Sequence, residues 1–489
     1  MQGSPDRYRA DVGGAGAIGQ GGHPQAFLSV PLPLHRAAAR RTPTVTAATH
    51  AQIRLSALLG LAGPVVASRL GIMAMGLVDT IVVGRYSATE LGYHALGWAP
   101  TMVVLTTSIG LLSGVQVLTS QAIGAGRASE TGAVLRRGLT YAFWLGIAAG
   151  LLLTIAGPPL LHHVGLAPDL ADGAGPVLQI FALSLLPILV ADTGIFWLEA
   201  HGRPVRGAVC MWAANIVNLV LNLWLVPGDS GFPVDGAVAS AWATFISRFA
   251  LLAFVAWVIL AWPEARALGV RAKPPRDAQA SARLRRIGYA ASLSYFVETA
   301  AFASMSIVAG WFGAISVATW AIVLNVAAII FMGPLGLATS TGVLVGRAFG
   351  AHDRAGVRRA GLLGFGTTLA LTLGICAVVA LGNEAIASAY TRDPAVRAMT
   401  AAALLLSCLF FVADGLQVVG AQALRAQNDI WVPAATHFFS YIAVMIPCAY
   451  LFAVTMDGGV SGIVWAVIVA SLVSAGLLLG RFAWMVRRA

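Results

Sequence analysis

The chain has 489 residues, of which 58% are hydrophobic and 10% are charged, and its formal net charge is +11. Soluble globular domains typically contain about 25% charged residues, so this composition excludes that class. Apolar runs long enough to cross a bilayer recur between residues 56 and 486, which is the pattern of transmembrane helices. We therefore predict an all-α polytopic membrane protein.

The first 50 residues differ from the rest of the chain. They contain Gly, Pro and Arg but no long apolar run, and no apolar stretch lies near the start, where a signal peptide would have one. We expect residues 1–50 to form a disordered cytoplasmic tail. Three further parts are predicted: an N-lobe at 51–263, a basic cytoplasmic linker at 264–283 and a C-lobe at 284–489.

Hydropathy and loop residues predict twelve transmembrane helices. In chain order they lie near residues 56–84, 91–120, 134–158, 173–199, 206–227, 235–262, 284–312, 314–345, 356–382, 395–424, 430–455 and 459–483. With a cytoplasmic N-terminus, the inner segments hold 26 of the 31 Lys and Arg residues, as the positive-inside rule requires. We predict a multi-pass protein of the bacterial cytoplasmic (inner) membrane with both termini inside. The excess positive charge then faces anionic lipid rather than nucleic acid.

The basic linker divides the chain into two sets of six helices, and the sets are similar in sequence. A shift of 226 residues aligns residues 81–125 with the second half without a gap, and 12 of these 45 positions are identical. Because six is an even number of spans, both repeats have the same orientation in the membrane. We therefore predict two parallel six-helix repeats around a central cavity, a design typical of transporters that work by alternating access.

The sequence contains no motif for nucleotide binding or for catalysis. It has no P-loop, and its only lysine, Lys273, follows Ala272 rather than a glycine. HExxH is absent, and the four cysteines are isolated in apolar runs, so neither an enzyme nor a cofactor is predicted. The energy for transport would then come from an ion gradient.

Four acidic residues lie inside predicted helices: Asp79, Asp192, Glu298 and Asp414. A carboxylate at this depth is costly, and two interpretations are open for each. It is either a structural group bonded to a neighbouring helix, or a site that binds H⁺ or Na⁺ on one side and releases it on the other. Four such residues across two repeats favour the second interpretation.

Several separated motifs resemble the multidrug and toxic compound extrusion (MATE) family, and its NorM-like branch in particular. They are "GLVDTIVVGRYSATELG", with Asp79, "SYFVETAAFASMSIVAGWFGA", with Glu298, "NVAAIIFMGPLGLATSTGVLVGRAFGA", with Asn325, and "FFVADGLQVVGAQALRAQND", with Asp414. The resemblance spans about residues 50–486. It implies that Glu298, Asp414 and Asp79 couple transport to a cation or proton, with Na⁺, if used, bound at Glu298 and Asp414.

The resemblance also implies a set of supporting polar residues, namely Asn218, Asn222, Thr244 and Asn325. Asp192 is placed with this set, although the family assigns it no role, and Arg69 and Arg248 are likewise unassigned. Phe410 departs from the pattern because some relatives have Tyr there, which would remove a ligand from a Na⁺ site.

The function expected from these observations is cation-coupled multidrug antiport, with Na⁺ or H⁺ as the coupling ion and no other cofactor. Its substrates would be amphipathic, often cationic, compounds. The protein would be a monomer embedded in the lipid bilayer, and it would not bind nucleic acid. The alternative is a lipid-linked oligosaccharide flippase of the same superfamily, which would usually have fourteen helices and a strongly basic cavity.

Overall fold

A computed structural model describes residues 53–163, 167–272 and 277–488, and the predicted tail at 1–50 lies outside this part. Twelve helices have the length and apolar composition of membrane spans, and the described residues contain no β-strand. The prediction of an all-α protein with twelve spans is therefore confirmed. The helices are α1 (Leu55–Tyr86), α2 (Ala88–Gly124), α3 (Ala128–His163), α4 (Pro168–Ala200), α5 (Pro204–Leu225), α6 (Gly236–Leu260), α7 (Ala278–Gly310), α8 (Ala314–Gly350), α9 (Arg354–Tyr390), α10 (Pro394–Arg425), α11 (Trp431–Thr455) and α12 (Gly459–Arg488).

Most helices extend a few residues beyond the predicted limits, because capping and polar turns leave no signal in hydropathy. The clearest case is α7, which begins six residues earlier than expected, inside the predicted linker. There the Asp277 carboxylate accepts a hydrogen bond from the backbone N–H of Ala280 at 2.9 Å and caps the helix.

Two spans are interrupted, α2 at Ser113 and α4 at Ser184. Each serine hydroxyl donates to the carbonyl three residues earlier, Gly110 for Ser113 and Phe181 for Ser184, and so competes with the helical bonding. Proline by itself does not interrupt these helices, because Pro64, Pro100 and Pro334 lie within continuous helix. Irregular backbone lies near two other prolines, Pro187 and Pro447.

Pro187 follows the interruption at Ser184 by three residues, and Pro447 lies between two π-helical segments of α11. These segments cover Phe439–Met445 and Tyr450–Thr455. A proline removes a backbone donor, and π-helical turns are frequent at functional sites. α11 is therefore the span in which irregular backbone is most extensive.

The two sets of six helices, α1–α6 and α7–α12, contact each other mainly through α1 with α8, α2 with α7, and α2 with α8. The repeat relates α1 to α7 and α2 to α8, so the first two of these contacts are equivalent. Both halves thus use the same surfaces, as expected for repeats related by an axis between them.

A pair of close contacts between the halves lies at one end of the bundle, which we call the basic end. It is where α2, α4, α8 and α10 finish and where the arginine-containing connections lie. Gln121 Nε2 donates to the Ala426 carbonyl at 2.8 Å, and Arg347 Nη2 donates to the Ala200 carbonyl at 2.7 Å. Both the donors and the acceptors are 226 residues apart, so the same bond is made twice, once from each half. We call this pair of bonds the latch.

Glycine allows this approach. A β-carbon at Gly124 would collide with the Arg347 carbonyl oxygen, and one at its repeat equivalent, Gly350, would collide with the Gln121 carbonyl oxygen. The halves therefore meet backbone to backbone at the basic end, and any larger residue would separate them.

We predict that Gly124→Ala will weaken this contact. Overpacking of this kind costs about 1–3 kcal/mol, so the apparent melting temperature of the protein in detergent should fall by several degrees. Gly366→Ala is the matched control, because Gly366 lies in α9 with no heavy atom near the position of an added β-carbon. Equal melting temperatures for the two variants would contradict the prediction.

Candidate ion-binding sites in the two halves

The Asp79 carboxylate lies at the centre of a polar cluster in the first half. Its Oδ1 atom accepts from Asn218 Nδ2 at 3.0 Å and from Asn222 Nδ2 at 2.8 Å, and its Oδ2 atom accepts from Thr244 Oγ1 at 2.6 Å. Asp79 is only 2% exposed. These three donors satisfy both oxygens and offset the desolvation of the carboxylate.

The sequence positions these donors by simple helical spacing. Asn218 and Asn222 are one turn apart on α5 and therefore project from the same face toward α1. Thr244 comes from α6, and it also accepts a hydrogen bond from Asn218 at 3.1 Å. Four residues predicted as site or supporting residues are thus brought together by α1, α5 and α6.

The same cluster borders a small cavity inside the first half. Its lining includes Asp79, Thr244, Asp192 and Arg248. His94 of α2 also faces the cluster, with its Nε2 atom 4.0 Å from Asp79 Oδ2 and without a hydrogen-bond partner in the structure. Asp192 therefore borders the same cavity as Asp79, but no hydrogen bond joins the two side chains.

A second cluster, in the other half, contains Glu298 of α7 and Asp414 of α10. Gln417 Nε2 donates to Glu298 Oε1 and to Asp414 Oδ1, both at 3.1 Å. The Tyr441 hydroxyl of α11 lies 3.4 Å from the same two oxygens. Glu298 and Asp414 are thus brought together although they are more than 100 residues apart in the sequence, and these two predicted acids share their donors.

When both are ionised, the Glu298 and Asp414 carboxylates repel each other, because they lie around the same donors. The cluster therefore favours the binding of one positive charge. A proton on either carboxyl group, or a monovalent cation between them, would remove the repulsion. Carboxylate, amide and phenol oxygens suit a hard cation such as Na⁺, and the buried Gln417 Oε1 has no partner in the structure. Asp414 is 9% exposed and Glu298 is partly exposed, so this cluster is more accessible than Asp79.

Two other residues singled out in the sequence lie apart from these contacts. Asn325 is exposed on α8 and accepts a hydrogen bond from the Tyr390 hydroxyl at 2.7 Å. Phe410 is buried against Phe411, with ring centroids 4.6 Å apart. The hydroxyl that Phe410 lacks is supplied near the acids by Tyr441, from a different helix.

Arg69 and Glu199, which had no predicted role, form a buried ion pair nearer the basic end. Arg69 Nη2 lies 3.2 Å from Glu199 Oε1, and Gln116 Nε2 donates to Glu199 Oε2 at 2.8 Å. The Arg69 guanidinium also lies over the Phe196 ring, 5.2 Å from its centroid. The pair therefore joins α1, α2 and α4.

Sequence reasoning missed Gln417, Tyr441 and His94 in the two clusters. Gln417 follows Asp414 by three residues and shares its face of α10, so helical spacing could have indicated it. Tyr441 and His94 reach the acids only through tertiary packing. Among residues 53–163, 167–272 and 277–488, no group of three or more His, Cys, Asp and Glu side chains forms a metal-binding cluster.

Taken together, twelve apolar spans in two equivalent halves, each with buried acids, define a polytopic membrane protein of the transporter class. The MatE family model matches residues 64–224 and again 290–451, and the two matches begin 226 residues apart, the shift of the internal repeat. The chain belongs to this family, and the assignment made from its motifs is confirmed. Asp79 lies in the first match, and Glu298 and Asp414 lie in the second.

Similar proteins agree with this assignment. The chain is 51% identical over 425 residues to the probable multidrug resistance protein NorM of Caulobacter vibrioides, covering 87% of this chain and 90% of that protein. It is 30% identical to the multidrug resistance protein PmpM of Pseudomonas aeruginosa, with coverage of 87% and 90%. The fold matches that of a multidrug resistance MATE family transporter in an outward-facing conformation, with a TM-score of 0.81, 20% identity and coverage of 89% and 97%.

We predict that Arg69 and Glu199 stabilise the protein only as a pair. Glu199→Gln leaves a buried guanidinium without its counter-charge, a change that typically costs about 3–5 kcal/mol, and Arg69→Met leaves a buried carboxylate in the same position. The double variant should regain much of the lost thermal stability in detergent. Purely additive losses in this double-mutant cycle would contradict a direct coupling between the two side chains.

Proposed function

We propose that this protein exports amphipathic, often cationic, small molecules in exchange for Na⁺ or H⁺, by alternating access. The observation that carries the proposal is the presence of a buried acid cluster in each half of a family fold, with Asp79 in one and Glu298 and Asp414 in the other. Relatives named as multidrug resistance proteins support the choice of substrate.

The mechanism follows from the charge of the clusters. When the acids are ionised, their negative charge attracts a cationic substrate into the space between the halves, and Met and aromatic side chains provide an adaptable apolar wall. A cation or proton that binds the acids cancels this attraction and changes their hydrogen bonding. The substrate is then displaced on the outer side, and release of the ion on the inner side resets the transporter.

The orientation that we propose places the basic end in the cytoplasm of a bacterial cell, with both chain termini on that side. Basic residues concentrate at this end and acidic residues at the other, as the positive-inside rule requires. The latch closes the cytoplasmic side in this orientation, which leaves the opposite side for release of the drug.

We expect Glu298→Gln and Asp414→Asn each to reduce drug efflux to background, because a neutral amide provides no negative charge to bind the coupling ion. The measurement is ethidium efflux from cells that lack their own efflux pumps, with expression followed by immunoblotting. Asp457→Asn is the matched control, because Asp457 is exposed in the connection between α11 and α12. Full transport by both cluster variants would show that the coupling residues are misassigned.

The coupling ion can be identified with purified protein in liposomes. A Na⁺ gradient at equal pH and a pH gradient without Na⁺ are imposed separately, and ethidium movement is followed by fluorescence. Glu298 and Asp414 predict transport under at least one gradient, because each gradient delivers a positive charge to the two carboxylates. Transport under neither gradient would contradict ion-coupled antiport.

A further inference from the structure

Asp192 is the least satisfied buried carboxylate described in this protein. It is 0% exposed, it lines the cavity that it shares with Asp79, and neither of its oxygens has a hydrogen-bond partner in the structure. An ionised carboxylate without donors is strongly unfavourable in an apolar interior, whereas a protonated one is tolerated far better. The antiport residues proposed above do not account for it.

Asp192 lies among other charged side chains of the first half. Arg248, which is one turn of α6, about 6 Å, from Thr244, lines the same cavity as Asp79 and Asp192. Glu199 follows Asp192 by two turns of α4, about 10 Å along the helix axis, and is bonded to Arg69. The cavity is thus lined by Asp79, Arg248 and Asp192, and the Arg69–Glu199 pair lies nearer the basic end.

Both arginines are incompletely bonded. Arg248 Nη1 donates to Ser184 Oγ at 2.6 Å, but Arg248 Nε has no partner in the structure, and neither does Arg69 Nη1. His94 is a further titratable group near Asp79, with its Nε2 atom 4.0 Å from Asp79 Oδ2. The guanidinium groups stay protonated, so they can stabilise an ionised Asp192 but cannot carry its proton.

We propose that Asp192 is a second proton-binding residue of the first half, which exchanges a proton with Asp79 across their shared cavity and passes it toward the basic end. This inference rests on the proposed antiport and specifies the proton as the ion used by the first half.

The transfer conserves charge. The O–H bond of protonated Asp79 breaks and an O–H bond forms on Asp192, with one water molecule in the cavity relaying the proton. Asp79 is then an ionised carboxylate that accepts from Asn218, Asn222 and Thr244. The positive charge of Arg248 favours whichever of the two carboxylates is ionised. Asp192 later gives the proton to water that enters from the basic end.

The test compares wild-type protein, Asp192→Asn, Asp192→Glu and Thr193→Val in liposomes, with ethidium as the probe. Transport driven by a pH gradient should fall about 100-fold in Asp192→Asn, the loss typical when a positioned proton carrier is removed. Ethidium counterflow without a gradient should persist, because an amide resembles the protonated acid. Asp192→Glu should restore proton-driven transport. The infrared band of protonated carboxylic acids should lose a pH-dependent component in the Asn variant.

Thr193→Val controls for substitution at a buried polar position of α4, because the Thr193 hydroxyl only donates within its own helix. Unchanged proton-driven transport in Asp192→Asn overturns the inference. So does loss of both transport modes with an unchanged infrared band, which indicates a structural role. If the wild type responds to Na⁺ alone, the inference fails while antiport stands. If the wild type responds to neither gradient, the proposed function fails and the inference fails with it.

Discussion

A carboxylate inside a bundle of apolar helices must obtain its hydrogen bonds from neighbouring helices, since neither lipid nor bulk water supplies them. Asp79 meets this requirement with donors from α5 and α6, so these two helices are fixed against α1 by the acid they surround. Glu298 and Asp414 share one amide donor and one phenol from α10 and α11. The packing of each half is therefore organised around its own buried negative charge.

The two halves provide hydrogen bonds to their buried acids in different ways, although they share a fold. In the first half one carboxylate is surrounded by three neutral donors and is almost completely buried. In the second half two carboxylates compete for the same donors and are more accessible. The first arrangement stabilises the ionised form of its carboxylate with three donors, whereas the second gains most from an added positive charge. Equivalent helices thus provide unequal chemistry.

Much of this architecture could be predicted from the sequence. Helix number followed from hydropathy, and the 226-residue repeat followed from direct comparison of the halves, since both are local or periodic properties of the chain. Asp79 was identified because an acid stands out in an apolar helix, whereas Asn218 and Asn222 were implied by the resemblance to the MATE family. Contacts between distant helices have no such signal. Tyr441 contacts the acids from a different helix, and Arg69 is bonded to Glu199, which lies 130 residues away in the sequence.

The helix interruptions were also missed for a local reason. Ser113 and Ser184 break their helices through side-chain bonds to nearby carbonyls, an effect that hydropathy cannot detect. Prolines can be read directly from the sequence, but they mark irregular backbone only at Pro187 and Pro447 and not at Pro64, Pro100 or Pro334.

The latch has a further property that follows from its two donors. The bonds are equivalent in position but not in strength, because Gln121 donates from a neutral amide and Arg347 from a guanidinium. Hydrogen bonds from ionised donors are roughly twice as strong as neutral ones. The weaker Gln121 bond is supplemented by two others: Gln121 Nε2 also donates to Asn428 Oδ1 at 3.2 Å, and Arg283 Nη2 donates to Gln121 Oε1 at 3.1 Å. A joint made by duplication has thus kept the same two backbone acceptors, while one half relies on a single ionised donor and the other on a small network.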